Sequence, residues 1–121
     1  MREVKIGTAN FAKVFAYDDP SNGGACHEYY ISRSDIDDTT PVGEFGHIQF
    51  QKGAVKESGV NGCHHEDLLA IVLDRLQYFQ AGAFACRENA LAITKIEEAM
   101  HWLNHRTSER KARGVEGTSK K

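Results

Sequence analysis

The sequence predicts an α+β protein, a small N-terminal antiparallel β-sheet followed by a long C-terminal antiparallel helical hairpin. Three observations carry this. Up to about residue 60 the apolar residues come in short, alternating, aromatic and β-branched runs divided by turn residues. After residue 60 they recur at steps of three and four, the spacing of one helix face. A single break around Gly82 divides that helical part in two. The length of 121 residues suits one domain, 1–121, with a β-rich portion over 1–60, the hairpin over 61–113 and a tail over 114–121.

The elements follow in order. EVKIGTA alternates, with Val4 and Ile6 on one face, and NFAKVFAY supplies Phe11, Val14, Phe15 and Tyr17 for a second strand. DDPSNGG (18–24) is a turn, because the Asn22-Gly23-Gly24 run tolerates positive φ. ACHEYYISR reads as a third strand and FGHIQFQ as another, with the polar, acidic SDIDDTTPVGE between them as an exposed loop. VKESGVNG (55–62) reads as a linker. HHEDLLAIVLDRLQYF then places Leu69, Val72, Leu76 and Phe79 on one helical face, with Glu66 and Asp67 favouring the dipole in the first turn. Gly82 is the stop signal. A second helix starts around residue 86, carries Ile93, Ile96, Met100 and Leu103 as its stripe, and ends at Gly114 or Gly117. A connection this short makes the helices antiparallel neighbours.

Composition narrows the function. Hydrophobic residues make up 40% and charged residues 26%, ordinary for a soluble globular chain. No apolar run approaches the ~18 residues of a membrane span, and MREVKIG lacks a signal peptide's apolar core, so a cytoplasmic protein is expected. Cys26, Cys63 and Cys86 form no CxxC pair and read as reduced thiols. The net charge of −2 hides an asymmetry: residues 101–121 hold six Lys/Arg against two Asp/Glu, whereas the rest is acidic. A basic end suits anionic ligands, while the pI near 6.3 argues against a nucleic-acid polymer as partner.

No catalytic set emerges. Cys63-His64-His65 and the His101/His105 pair lack the spacing of a zinc site, so packed or exposed histidines are the simpler reading and no metal is expected. No G-x-S-x-G, P-loop or GxGxxG occurs, and the acidic loop residues read as solvated surface. Neither an enzyme nor a bound cofactor is implied.

Two places remain. Arg106, Arg110 and Arg113, four and three apart, place three guanidiniums along one stripe of helix, each able to fork onto a phosphate. Complementing the helix dipole is the plainer role for any one of them. Phe79 and Asn89 flank the hairpin turn. A phenylalanine stacks on a base and an asparagine amide pairs with an adenine edge, although Phe79 also falls on the apolar stripe and Asn89 suits a helix start. Seventeen residues separate Asn89 from Arg106, about 25 Å of helix. One hairpin therefore cannot bring tip and arginines onto one small ligand. Two hairpins packed antiparallel can, giving a twofold dimer with two identical sites.

These residues resemble a known family. DRL-x-x-FQ-x-G-x-FAC-x-EN-A and RT-x-x-R-x-ARGVEGT, within residues 61–118, are similar to the helical hairpin shared by the phage Thoeris anti-defence sponges and the anti-CBASS cyclic-nucleotide sponges. The strand-rich first sixty residues favour the Thoeris group. The resemblance implies sequestration of glycocyclic ADP-ribose isomers, held intact in the host bacterial cytoplasm so that the defence effector is never activated. It implies Phe79 as the base-stacking residue, Asn89 as a hydrogen-bonding residue, and Arg106 and Arg110 as phosphate ligands between two protomers. A homodimer or hexamer is implied, and in some relatives cyclic di- or trinucleotides bind as well, the latter at a separate site. Arg113, Gly114, Glu116, Gly117 and Thr118 are the weaker candidates for that second site here. The rivals are a sponge mainly for cyclic oligonucleotides, an enzyme degrading the messenger, and an adaptor docking a host protein.

Overall fold

A computed structural model describes residues 1–7, 11–35 and 43–121. Four strands, β1 (Arg2–Val4), β2 (Ala12–Ala16), β3 (Glu28–Arg33) and β4 (Gly46–Gln49), precede three helices, α1 (Val55–Ser58), α2 (His65–Gln80) and α3 (Arg87–Ala112). The α+β class is as the sequence predicts. Most of the acidic loop expected over 34–44, including Asp37 and Asp38, lies outside the described residues. The chain divides into two compact units, Met1–Cys63 and His64–Lys121.

In the first unit the strands pair antiparallel in the order β1-β2-β3-β4, a meander in which each strand pairs with its neighbour in sequence. Antiparallel alternation sorts the side chains. Phe15, Tyr30 and His47 stand directly across from one another on one face. Phe15 is 1% exposed, and the Tyr30 and His47 rings stack at 4.4 Å with an interplanar angle of 3°. Tyr17 meets Tyr30 edge-on at 5.3 Å. On the same face the fully buried Ser32 accepts the Gly43 N–H through Oγ at 2.9 Å, which satisfies its hydroxyl. The opposite face carries Val14, Ala16, Tyr29, Ile31 and Ile48, and Phe50 packs edge-on against Tyr29 at 5.7 Å. The expected turn forms at Ser21–Ala25, closed by Ser21 N–H to Ala25 C=O at 2.9 Å, with Asn22, Gly23 and Gly24 all at positive φ.

Residues 55–62, expected as a plain linker, contain the single turn α1. Two amides stitch the loop. The Gln51 side chain donates to Gly53 C=O and Gly59 C=O and accepts from Asn61 N–H, while the Asn61 amide both accepts from Lys52 N–H and donates to Lys52 C=O at 2.8 Å. A parallel bridge closes the unit: Gln51 N–H donates to Cys63 C=O and Cys63 N–H to Gln49 C=O, both at 2.8 Å. Gly62 makes this possible, because a Cβ there would overlap the backbone of Gln49 and Phe50.

The second unit is the helical hairpin. Asp67 accepts the His64 N–H at 2.8 Å, one half of a capping box, and starts α2 with the acidic first turn the sequence predicts. Leu69, Leu76 and Phe79 are half-buried as expected, but Val72 is 46% exposed and its neighbour Leu73 is half-buried instead. In α3 the predicted stripe of Ile93, Ile96, Met100 and Leu103 is half-buried throughout and continues into Thr107 and Arg110. The two expected stops differ. Gly82 follows the C-cap Ala81 without adopting positive φ. Gly114 has φ +75°, with Gly114 N–H to Lys111 C=O and Val115 N–H to Arg110 C=O both at 3.0 Å. That is a Schellman motif, and it decides between Gly114 and Gly117 as the stop. Substituting Gly114→Ala should cost about 1 kcal/mol, whereas Gly82→Ala should be neutral or slightly stabilising. Paired thermal melts check this; equal effects at the two glycines would refute it.

Candidate functional site

At the hairpin tip the chain turns within six residues, and two caps hold the turn. Cys86 is the N-cap of α3, its Sγ accepting the Asn89 N–H at 3.4 Å. The Gln80 side chain accepts the Cys86 N–H at 3.0 Å. Asn89 is half-buried, and its Nδ2 donates to Phe84 C=O at 3.3 Å. The first-turn role considered from sequence is therefore real, and it uses one of the two amide N–H donors.

Phe79 stands one step from the end of α2. Arg75 lies over its ring with the guanidinium carbon 4.9 Å from the centroid, and Phe84 meets it edge-on at 6.2 Å and 81°. Phe79 is half-buried, while Phe84 is 74% exposed. Phe79 and Asn89 thus each meet Phe84, one through its ring and the other through its carbonyl.

The three arginines are not equivalent. Arg106 is exposed and, among the described residues, its side chain makes no hydrogen bond or ion pair, which leaves its guanidinium fork to solvent. Arg110 is half-buried, and one terminal nitrogen donates to both Val115 C=O and Thr118 C=O at 3.0 Å. Arg113, at the C-cap, is held by Glu109 through an i,i+4 ion pair and donates to Lys121 C=O at 2.7 Å. The tail is folded back on these contacts: Val115, Glu116, Gly117 and Thr118 are half-buried, and the Thr118 hydroxyl donates to Val115 C=O. Arg110 therefore belongs to both candidate clusters. α3 runs unbroken from Arg87 to Ala112, so the separation between Asn89 and Arg106 stands, and one hairpin does not bring the two clusters together.

A cleft of about 350 Å³ lies in the sheet unit, lined by Tyr17, Asp18, His27, Glu28, Phe50 and Lys52 among others. Sequence reasoning missed it, because strand register, not sequence spacing, assembles it. Asp18 is its bracket, accepting the backbone N–H of His27 on both oxygens and that of Glu28 on one, all at 3.0 Å. Burial works to raise the Asp18 carboxyl, but the Glu28 and His27 backbone donors, with the His27 ring beside it, outweigh this and hold it below the ordinary carboxylate range. Its charge thus stabilises the fold above the ordinary value, and that contribution is lost as pH falls through the lowered one. Urea titrations should show wild type more stable than Asp18→Asn by a constant margin above about pH 5, shrinking below about pH 4. A margin independent of pH would contradict the bracket.

Among the described residues no group of three or more His, Cys, Asp or Glu is placed to hold a metal ion. Nor is any helix there long and apolar enough to cross a membrane.

Comparison with known proteins now bears on the hairpin. A family model described as "Acb2/Tad1, hairpin domain" matches residues 44–108, from just before β4 almost to the end of α3. A relative, "Thoeris anti-defense 1" of Bacillus phage SBSphiJ7, is 60% identical over 80 residues. That match takes in 66% of this chain and 56% of the relative, so the chain spans little more than half of the length of the curated relative it matches. The match to the hairpin model covers more than half of the residues, and the chain belongs to the Acb2/Tad1 hairpin family.

Proposed function

We propose that this protein is a phage anti-defence protein that binds glycocyclic ADP-ribose and holds it without degrading it, blocking Thoeris immunity in the host bacterial cytoplasm. The observation that carries the reading is the hairpin tip, where the Phe79 ring meets Phe84 and the Phe84 carbonyl accepts from the Asn89 amide, in a chain 60% identical over 80 residues to a Thoeris anti-defence protein. The base stacks on Phe79 and its edge pairs with Asn89, while Arg106 and Arg110 of a second copy bind the diphosphate. Two features support a second copy. No residue of α2 or α3 is fully buried, and Ile71, Tyr78 and Trp102 are each at least 66% exposed, leaving apolar surface for an antiparallel partner.

Subunit mixing tests the shared site. Phe79→Ala and Arg106→Ala, each alone, should lose high-affinity binding, because each damages both sites of a dimer. Mixing and re-equilibrating them should recover about a quarter of the wild-type sites, since half of the dimers are mixed and each mixed dimer keeps one intact site. Calorimetry with glycocyclic ADP-ribose reads this. No recovery in a mixture proven to exchange subunits would place both residues in one protomer's site.

A second reading follows from the family description, which pairs two groups of hairpins. Arg113, Gly114, Glu116, Gly117 and Thr118 would then take cyclic trinucleotides at the folded tail. Competition between glycocyclic ADP-ribose and a cyclic trinucleotide separates them: independent binding supports two sites, and mutual exclusion supports one.

A further inference from the structure

Arg75 has no place in the site as proposed above. It is exposed on α2, one turn before Phe79, and its guanidinium lies over that ring. Helical side chains lean back toward the N-terminus, so the ring of residue 79 lies over the side chain four residues earlier. The guanidinium carbon stands 4.9 Å from the centroid, within cation–π range. Phe84, from the turn, meets the same ring edge-on. Both flanking residues are exposed, so neither is spent on filling a core.

We propose that Arg75 and Phe84 are positioning residues that set the Phe79 ring before ligand arrives, with the cation on one face and the other face left for the base. This rests on Phe79 being the stacking residue. Two physical consequences follow. The ring loses little rotamer freedom on binding, because its orientation is already fixed. A cation on one face also draws π density toward itself, which lowers repulsion between the opposite face and the π cloud of a stacked purine. Arg75 acts in this way through Phe79, touching no phosphate.

A double-mutant cycle distinguishes action through the ring from direct contact with ligand. Arg75→Met keeps the apolar stem and removes the charge; it should weaken glycocyclic ADP-ribose binding roughly 3- to 10-fold by calorimetry. Arg75→Lys, which restores a cation, should come within about twofold of wild type. In a Phe79→Leu background, itself much weaker, Arg75→Met should add no further loss. Equal losses in both backgrounds would show Arg75 contacting ligand directly and overturn the proposal, as would an Arg75→Met protein that binds like wild type. Wild-type affinity in Phe79→Leu alone would instead remove the stacking site on which the proposal stands. Unchanged helical ellipticity and melting of Arg75→Met ensure that the loss is not one of folding.

Discussion

Replacing Phe79 by alanine is expected to weaken binding of glycocyclic ADP-ribose by roughly 5- to 150-fold, the range that loss of ~1–3 kcal/mol of base stacking gives. The proposed dimer should stay assembled, since Phe79 sits at the tip and is only half-buried within its own hairpin. Light scattering beside calorimetry checks both halves. Asn89→Asp is the sharper companion. A carboxylate at this first-turn position suits the N-terminus of α3, which offsets the lost bond from Asn89 Nδ2 to Phe84 C=O. Turning the amide into an acceptor-only anion removes the donor and repels the ligand's phosphates, so binding should fall at least tenfold. Affinity retained in both variants would move the site away from the hairpin tip.

Gly62→Ala is expected to have the largest effect on stability. The added Cβ would collide with the Gln49 and Phe50 backbone, which cannot swing aside as a flexible side chain does. Relieving the clash means giving up the Phe50–Cys63 bridge and its two hydrogen bonds. Overpacking of this kind typically costs ~1–3 kcal/mol, and the lost bonds add to it. Urea denaturation should show the midpoint fall with little change in slope. A midpoint within error of wild type would mean that the loop before α2 can shift freely, contrary to its stitching by Gln51 and Asn61.

Much of this architecture was legible because it is written in periodicity. The α3 stripe from Ile93 to Leu103 is a helix-period pattern long enough to be unambiguous, and the Asn22-Gly23-Gly24 turn is local chemistry. Where the pattern was broad, it erred by one position. Ile71, Val72 and Leu73 are all apolar, so composition does not say which is covered; packing half-buries Leu73 and leaves Val72 exposed. Gly82 stops α2 without the positive φ that Gly114 uses, a difference in backbone that the residue type alone does not encode. The turn α1 is too short to leave a periodic trace, and two long-range amides hold the loop that contains it.

At the candidate site the same division appears. Residue type and spacing placed Phe79 with Asn89 at the tip and kept Arg106 far along α3. They did not foresee that Arg110 would reach the tail carbonyls of Val115 and Thr118, or that Arg113 would be tied to Glu109. Those contacts depend on the direction of the tail after Gly114. The cleft beside Asp18 and His27 was hidden for a related reason: its walls come from segments distant in sequence that only strand register brings together.

The central claim is that the nucleotide is captured and kept whole. The direct test is to saturate the purified protein with glycocyclic ADP-ribose, remove free ligand by gel filtration, denature the complex with heat, and identify what is released by chromatography and mass. The account predicts intact glycocyclic ADP-ribose at about one molecule per chain, the stoichiometry of two sites in a twofold dimer. Recovery of a cleaved or isomerised nucleotide, or of none at all, would contradict it.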